Sequence, residues 1–346
     1  MDGVAVCSRG RLVRVSCLIL SVAALCSVAR ADEPFVPGSG VKVPGVGDNM
    51  ESPNWRYVTN GAKASYEQDE RQRPPGGYST NGRWYESAMR GQPDIVKRIA
   101  TPPGGIPGSK GSLLMVTRLS GVPGDISNEK MQDDLLLGIK ERIGRPISVG
   151  WRPSAVARVY LPEWDRWEQR SGASFGFRGD VRGRKPDGDA ENYWPGMFIS
   201  FHSKNNKQFN HDHAQLLIRA DGRGRDVNGP VIDEPGWVTL GLSFTPDGQV
   251  HYYARLGVDD LTADDYLYSS HAYGNKCAYL DSVFFNVANF ENGENWSTPW
   301  VVDDPMVYVV PPQGQRVENL VRGGSQTAGR PTGRTAVQGL KRLFKK

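Results

Sequence analysis

The 346 residues carry a formal charge of +4, unevenly placed: 1–31 and 311–346 are basic, whereas 32–310 hold 30 Lys/Arg against 36 Asp/Glu, near −6. A net negative body argues against nucleic acid, or a strongly sulfated or uronic polymer, as the general partner, while leaving room for a local basic groove. Three of the 4 Cys fall at Cys7, Cys17 and Cys26, so residues 32–346 form no internal disulfide and depend on a core, for which 56–310 are long enough.

Residues 1–31 read as a secretion signal. Arg9, Arg11 and Arg14 precede the apolar run 15–28, and Ala29-Arg30-Ala31 offers the small residues of a cleavage site. A lipoprotein reading at Cys26 fails because Leu25 precedes it, where that processing needs a small side chain. No other stretch is apolar enough to span a bilayer, so no integral membrane anchor is expected, and the location implied is secreted, periplasmic or cell envelope.

Residues 32–55, rich in Gly, Pro and Val, suit an extended linker or a segment lying across the body. Residues 57–107 are turn-dense, broken by Pro74-Pro75-Gly76-Gly77 and Pro102-Pro103-Gly104-Gly105. A first clear strand follows at 112–118. Residues 128–143 show helix-like spacing at Met131, Leu135 and Ile139, although Asp133-Asp134-Leu135-Leu136-Leu137 suits a strand equally well. Strands are then expected at 154–160, 174–178, 196–202, 213–219, 282–288 and 306–310.

Between Trp237 and Arg255, two period-2 segments flank Thr245-Pro246-Asp247-Gly248, an antiparallel hairpin. Val238, Leu240, Leu242 and Phe244 point one way with Val250, Tyr252, Ala254 and Leu256. Thr239, Ser243, His251, Tyr253 and Arg255 point the other way, onto a face expected to be open to a ligand. Pro311-Pro312 ends the body, and the basic 311–346 reads as a disordered tail. Together these describe one all-β domain, 56–310, built as a two-sheet antiparallel β-sandwich or jelly roll with long N-terminal loops.

Several patterns bear on chemistry. Gly172-Ala173-Ser174-Phe175-Gly176 matches the serine-hydrolase elbow, but no helix follows it, so the match is chance. Polar strand faces offer a diffuse ligand-binding constellation of Arg178, Trp194, His202, Gln215, His251 and Arg255. Exposed tryptophans beside polar residues, among Trp164, Trp167, Trp194, Trp296 and Trp300, would make platforms for the flat C–H faces of sugars. His211-Asp212-His213 lacks a third ligand for zinc. No cofactor is required, and a structural calcium is the one ion suggested, at Asp303 and Asp304 or in the Gly-rich loop 221–226. Cys277 reads as a small buried hydrophobe.

Two resemblances bear on function. Glu163-Trp164-Asp165-Arg166-Trp167-Glu168 resembles the Glu-x-Asp-x-x-Glu signature of laminarinase-type glycoside hydrolases, which implies Glu163 as nucleophile, Glu168 as acid/base and Asp165 between them. Arg166 and Pro162 depart from that pattern. Ser174-Phe175-Gly176-Phe177-Arg178, the 193–201 segment, the hairpin and Trp300-Val301-Val302-Asp303-Asp304-Pro305-Met306-Val307-Tyr308 together look like a concanavalin A-like lectin/glucanase jelly roll. That superfamily implies a polysaccharide or glycan partner. It contains lectins, glycosidases and lyases, and in a lyase His213 and Tyr253 would serve as base and acid. The leading expectation is carbohydrate binding without established catalysis; polysaccharide hydrolysis or elimination, and a structural role in the envelope, are the alternatives. The sequence sets no oligomeric state.

Overall fold

The structure, a computed structural model, describes residues 33–322. The expected signal at 1–31 and most of the expected tail at 311–346 lie outside them. No helix among the described residues is long and apolar enough to cross a membrane.

Thirteen strands carry the architecture: β1 (Ile95–Ile99), β2 (Ser112–Val116), β3 (Glu129–Gly138), β4 (Ser154–Leu161), β5 (Gly172–Arg184), β6 (Gly196–His202), β7 (His213–Arg219), β8 (Asp226–Ile232), β9 (Gly236–Phe244), β10 (Val250–Leu256), β11 (Tyr266–Ser270), β12 (Lys276–Glu291) and β13 (Trp300–Val309). The smaller sheet runs β11-β10-β9-β4-β13-β2-β1. The larger runs β8-β7-β6-β5-β12-β3 and continues through the short strands Trp84–Glu86, Tyr78–Ser79 and Tyr57–Val58. The pairings in both are antiparallel, as a jelly-roll sandwich requires.

Period-2 alternation explains which side each strand buries. Along β6 and β7, Met197, Ile199, Phe201, Ala214, Leu216 and Ile218 all enter the core, so Phe198, Ser200, His202, His213, Gln215, Leu217 and Arg219 must take the opposite face. Between the sheets the packing is aromatic. The Phe175 and Trp300 rings stack at 4.8 Å and 9°, Phe285 meets Trp300 at 5.6 Å, and Trp167 joins Phe175 and Phe201. Fully buried Trp84 and Trp300 each place about 3–5 kcal/mol at stake on truncation to Ala.

The 128–143 stretch resolves as strand β3 followed by a single helical turn, Lys140–Ile143. Ten consecutive pairs with β12, from Gly138↔Ser282 to Glu129↔Glu291, fix it as a strand. Asp133, Leu135 and Leu137 are its buried side, and the apparent helical spacing loses to ladder hydrogen bonds and sheet burial.

The hairpin is present as expected, closed by Gly248 at φ +88°, Thr245 Oγ1 donating to Asp247 Oδ1 and Gly248 N–H donating to the Thr245 carbonyl. Its polar face, however, is not open. Thr239, Ser243 and His251 are wholly buried and Tyr253 nearly so, because the N-terminal segment lies across this side. Ser243 Oγ donates to the Phe35 carbonyl at 2.8 Å, Gly38 N–H donates to Ser154 Oγ, and a Cβ on Gly241 would stand 2.8 Å from Pro37. The strap continues through Val41–Lys42, paired to β13, and is anchored by Asp48. One oxygen of that buried carboxylate accepts from Trp55 Nε1, Trp84 Nε1 and Asn81 Nδ2 at 3.1, 2.9 and 2.8 Å.

Candidate functional site: a basic cleft on the larger sheet

With the smaller sheet covered, the open polar face belongs to the larger sheet. Strand register lays its outward side chains in transverse rows. Leu217, Phe198, Gly176, Asn286 and Asp134 form one row; Gln215 and Ser200 with Ala288 and Gln132 flank it on one side, and Arg219, Gly196, Arg178 and Phe284 on the other. A cleft of about 330 Å³ sits over these rows, lined by four cationic side chains, Arg90, Lys130, Arg178 and Arg219, and one carboxylate, Asp226. The bulge between Ala173 and Phe175 of β5 brings Ser174 into its wall.

Glycine is required at the floor. A Cβ on Gly176 would meet Asn286 Oδ1 at 2.4 Å and the Phe198 ring at 2.9 Å, so its absence lets those two side chains close over the strand. Asn286 is 1 % exposed and donates through Nδ2 to Asp134 Oδ1 at 2.5 Å, while its Oδ1 has no hydrogen-bond partner. Burial raises the Asp134 carboxyl to about 6, opposed by Arg90 and by the Asn286 hydrogen bond.

The cations are held in different ways. The Arg178 guanidinium is buried, donates from Nε and Nη2 to the Trp194 carbonyl at 3.0 and 2.6 Å and from Nη2 to Tyr273 Oη at 3.2 Å, and lies between the Phe198 and Phe284 rings. Burial draws it below the usual arginine range, opposed by Tyr273 and Asp134. Arg219 forms a two-pronged pair with Asp226 and also covers Phe198 at 5.0 Å; the Asp226 hydrogen bond keeps its proton bound more tightly than usual. Desolvation against the cleft, reinforced by Arg170 and Arg219, holds the Lys130 ammonium below the usual lysine range. Beyond Arg178 the sign reverses. Burial pushes Asp180 to about 7, with Asp281 and Glu141 adding to the effect.

Of the residues singled out from sequence, Arg178, Trp194, His202, Gln215 and His213 lie on or beside the larger sheet, around this cleft. Trp194 is 40 % exposed at the edge where its carbonyl receives Arg178. His251, Arg255 and Tyr253 belong to the smaller sheet, so His213 and Tyr253 share no site. His251 is enclosed between Thr245 and Ser269, and Arg255 faces the 259–265 loop through the Asp260 carbonyl and the Asp259 and Asp265 carboxylates.

The carboxylate motif is a 3-10 turn, Trp164–Arg166, rather than a strand, and it does not aim its acids at one point. Glu163 and Asp165 border a separate shallow depression with Lys204, Asn210, His211 and Asp212. Glu168 turns instead to Arg170 Nε and the Phe290 N–H, with burial raising its carboxyl above the usual range.

Asp303 is buried beside Ser109, which donates to its Oδ2, while Oδ1 has no hydrogen-bond partner; burial raises it to about 6. Asp304 sits at φ +46° in the β13 bulge, 3.6 Å from Arg158. In the 221–226 loop both Asp221 oxygens are taken, by the Arg223 and Arg225 N–H groups and Arg225 Nε. Among the described residues no group of three or more His, Cys, Asp or Glu side chains is arranged to hold a metal.

Trp296 is exposed with Arg118 over its ring, whereas Trp167 and Trp300 are core. Cys277 is buried, which pushes its thiol up to about 12. Lys130, Gln132 and Asn286 went unremarked in the sequence, although alternation gave a signal: each is the polar member of a period-2 run. Arg90 follows the short strand Trp84–Glu86 in a loop and has no periodic signal.

No family model matches the chain, and no curated protein matches it by sequence. Solved structures similar to it include an alginate lyase from Pseudomonas aeruginosa, at 10% identity and TM-score 0.37 over 63% of this chain and 87% of that one. Peanut lectin matches at 10% and 0.31, over 62% and 96%. An endo-β-1,4-glucuronan lyase from Trichoderma reesei matches at 11% and 0.30, over 64% and 91%. These are likenesses of jelly-roll sandwiches, and at such values they assign no activity to this chain.

Proposed function

We propose that the protein binds an acidic polysaccharide across the outer face of its larger sheet. The observation that carries this reading is the cleft itself: four cations converge there, Arg90 paired with Glu67 and Arg219 with Asp226, on a body that is otherwise net negative. Amide and hydroxyl groups at Gln132, Asn286 and Ser200 stand between the cations, the mixture a carboxylated sugar needs, with charge for the acid and neutral groups for the hydroxyls. Exposed Trp194 at the edge supplies a sugar platform. Export, proposed from the signal at 1–31, would bring the chain to such polymers. Partly solvated ion pairs are each worth only about 0.2–1 kcal/mol, so affinity in this reading is distributed and sensitive to salt.

Retardation of the purified protein in gels containing alginate or polygalacturonate, against dextran and laminarin, tests it. Retardation by the acidic polymers alone is expected, weakened about 2–5-fold by Lys130→Ala or Arg219→Ala. Equal retardation by dextran, or none by any acidic polymer, would refute the reading.

A further inference from the structure

At one end of the cleft, one step along the strands beyond Ser200 and Gln215, three imidazoles meet. His202 ends β6 and His213 begins β7, directly paired across the ladder. Their rings stack at 4.9 Å and 18°, and His211 lies tilted beside His213 at 4.8 Å and 36°. Phe209, in the connecting loop 203–212, stands edge-on to His202 at 4.4 Å and to His213 at 5.4 Å.

The first part of the loop is tied elsewhere. Ser203 Oγ and Asn205 Nδ2 both donate to Gln169 Oε1. The second part rests on the rings, with Phe209 against His202 and His211 Nε2 beside Asp233 Oδ1 at 3.1 Å.

Both ring nitrogens of His202 are buried without a hydrogen-bond partner. His213 Nδ1–H donates to the His211 carbonyl at 3.0 Å, which fixes its neutral tautomer with Nε2 unprotonated. The surrounding charges give a new imidazolium at His202 no counterion, whereas His211 has one in Asp233 at 3.1 Å. Asp212 is taken up by Lys204, Asp233 by His211, and Glu163, Asp165 and Arg166 line the outer depression beside His211. Across β5, Lys130 and Arg170 approach Gly172, adding positive charge on that side.

We propose that the stacked His202–His213 pair is a proton-operated latch: neutral, it holds loop 203–212 against the end of the cleft, and protonated at His202, it releases the loop. Its effect on ligand access rests on the binding reading above; the loop movement itself does not. Burial, and then His213, hold the His202 ring below the ordinary histidine value of 6.5. The folded protein therefore favours the neutral ring. That stabilisation is complete above the ordinary value and is lost as pH falls through the lower folded one.

Hydrogen–deuterium exchange of ligand-free protein at about pH 8 and about pH 5, corrected for intrinsic rates, tests the latch. Opening of 203–212 should rise about tenfold or more in acid while 196–201 and 214–219 stay protected, and His202→Phe, which keeps a ring but takes no proton, should abolish the response. Unchanged protection of the loop, or an acid response that survives in the Phe variant, would overturn it. A histidine NMR titration of the unmodified chain gives a second readout: a His202 ring titrating at or above the ordinary value contradicts the latch even if the variant fails to fold. With no saccharide present, neither result depends on whether the cleft binds one.

Discussion

His251 shows how completely one side chain can be committed by its neighbours. Thr245 Oγ1 donates to Asp247 and therefore accepts from His251 Nε2–H, while Tyr266 Oη donates to Ser269 Oγ, whose own proton goes to His251 Nδ1. A second ring proton would have to displace Ser269, and burial lowers the ring from 6.5 to about 4. A depressed folded value means that the neutral ring stabilises the fold in full above 6.5 and that this contribution fades as pH falls from there through about 4. Urea unfolding at stepped pH should show a loss on the order of 2–3 kcal/mol over that range, much reduced in His251→Phe; an equal acid slope in both proteins would contradict the relay. The sequence showed His251 as the polar member of an alternating strand, but its enclosure depends on Ser269 and Tyr266, 18 and 15 residues distant, and no local pattern encodes that. Asp48 is similar. Asp48→Ala would leave two buried indole N–H groups without an acceptor, and a stability loss of about 3 kcal/mol or more is expected from denaturant unfolding; a loss below about 1 kcal/mol would show that the three bonds are not needed.

At the scale of elements, strands with strict alternation were legible almost to the residue. Strands β6 and β7 occupy the expected 196–202 and 213–219. β12 and β13 are longer than expected, because polar residues such as Asp281, Asn289 and Asp303 interrupt their apolar runs without ending the strands. The hairpin was legible and its exposure was not, since alternation tells which residues share a face and not what lies over that face. The strap is the missing term. Gly241→Val would drive a side chain into Leu261 and Pro37, whose nearest atoms lie 2.4 and 2.8 Å from the Cβ position. Overpacking of this kind costs about 1–3 kcal/mol, so the variant should melt several degrees lower and expose the 35–43 strap to limited proteolysis; unchanged melting and unchanged cleavage would show that the strap is not packed there.

For the whole molecule, the charge pattern organises the account. The net negative body read from composition is correct as an average, yet the larger sheet gathers Arg90, Lys130, Arg178 and Arg219 from β3, β5, β7 and a loop, positions far apart in sequence. Composition cannot show such a convergence; strand order can. The strap covers the polar side of the smaller sheet and leaves that of the larger sheet open. The most direct test is an amide chemical-shift map of the labelled protein titrated with an alginate oligosaccharide. Shifts confined to β3, β5, β6, β7 and β12 around Arg178, Lys130 and Arg219 are predicted, and they should shrink as salt is raised. Shifts centred on the smaller sheet around Thr239, Tyr253 and Arg255, or none at saturating ligand, would contradict it.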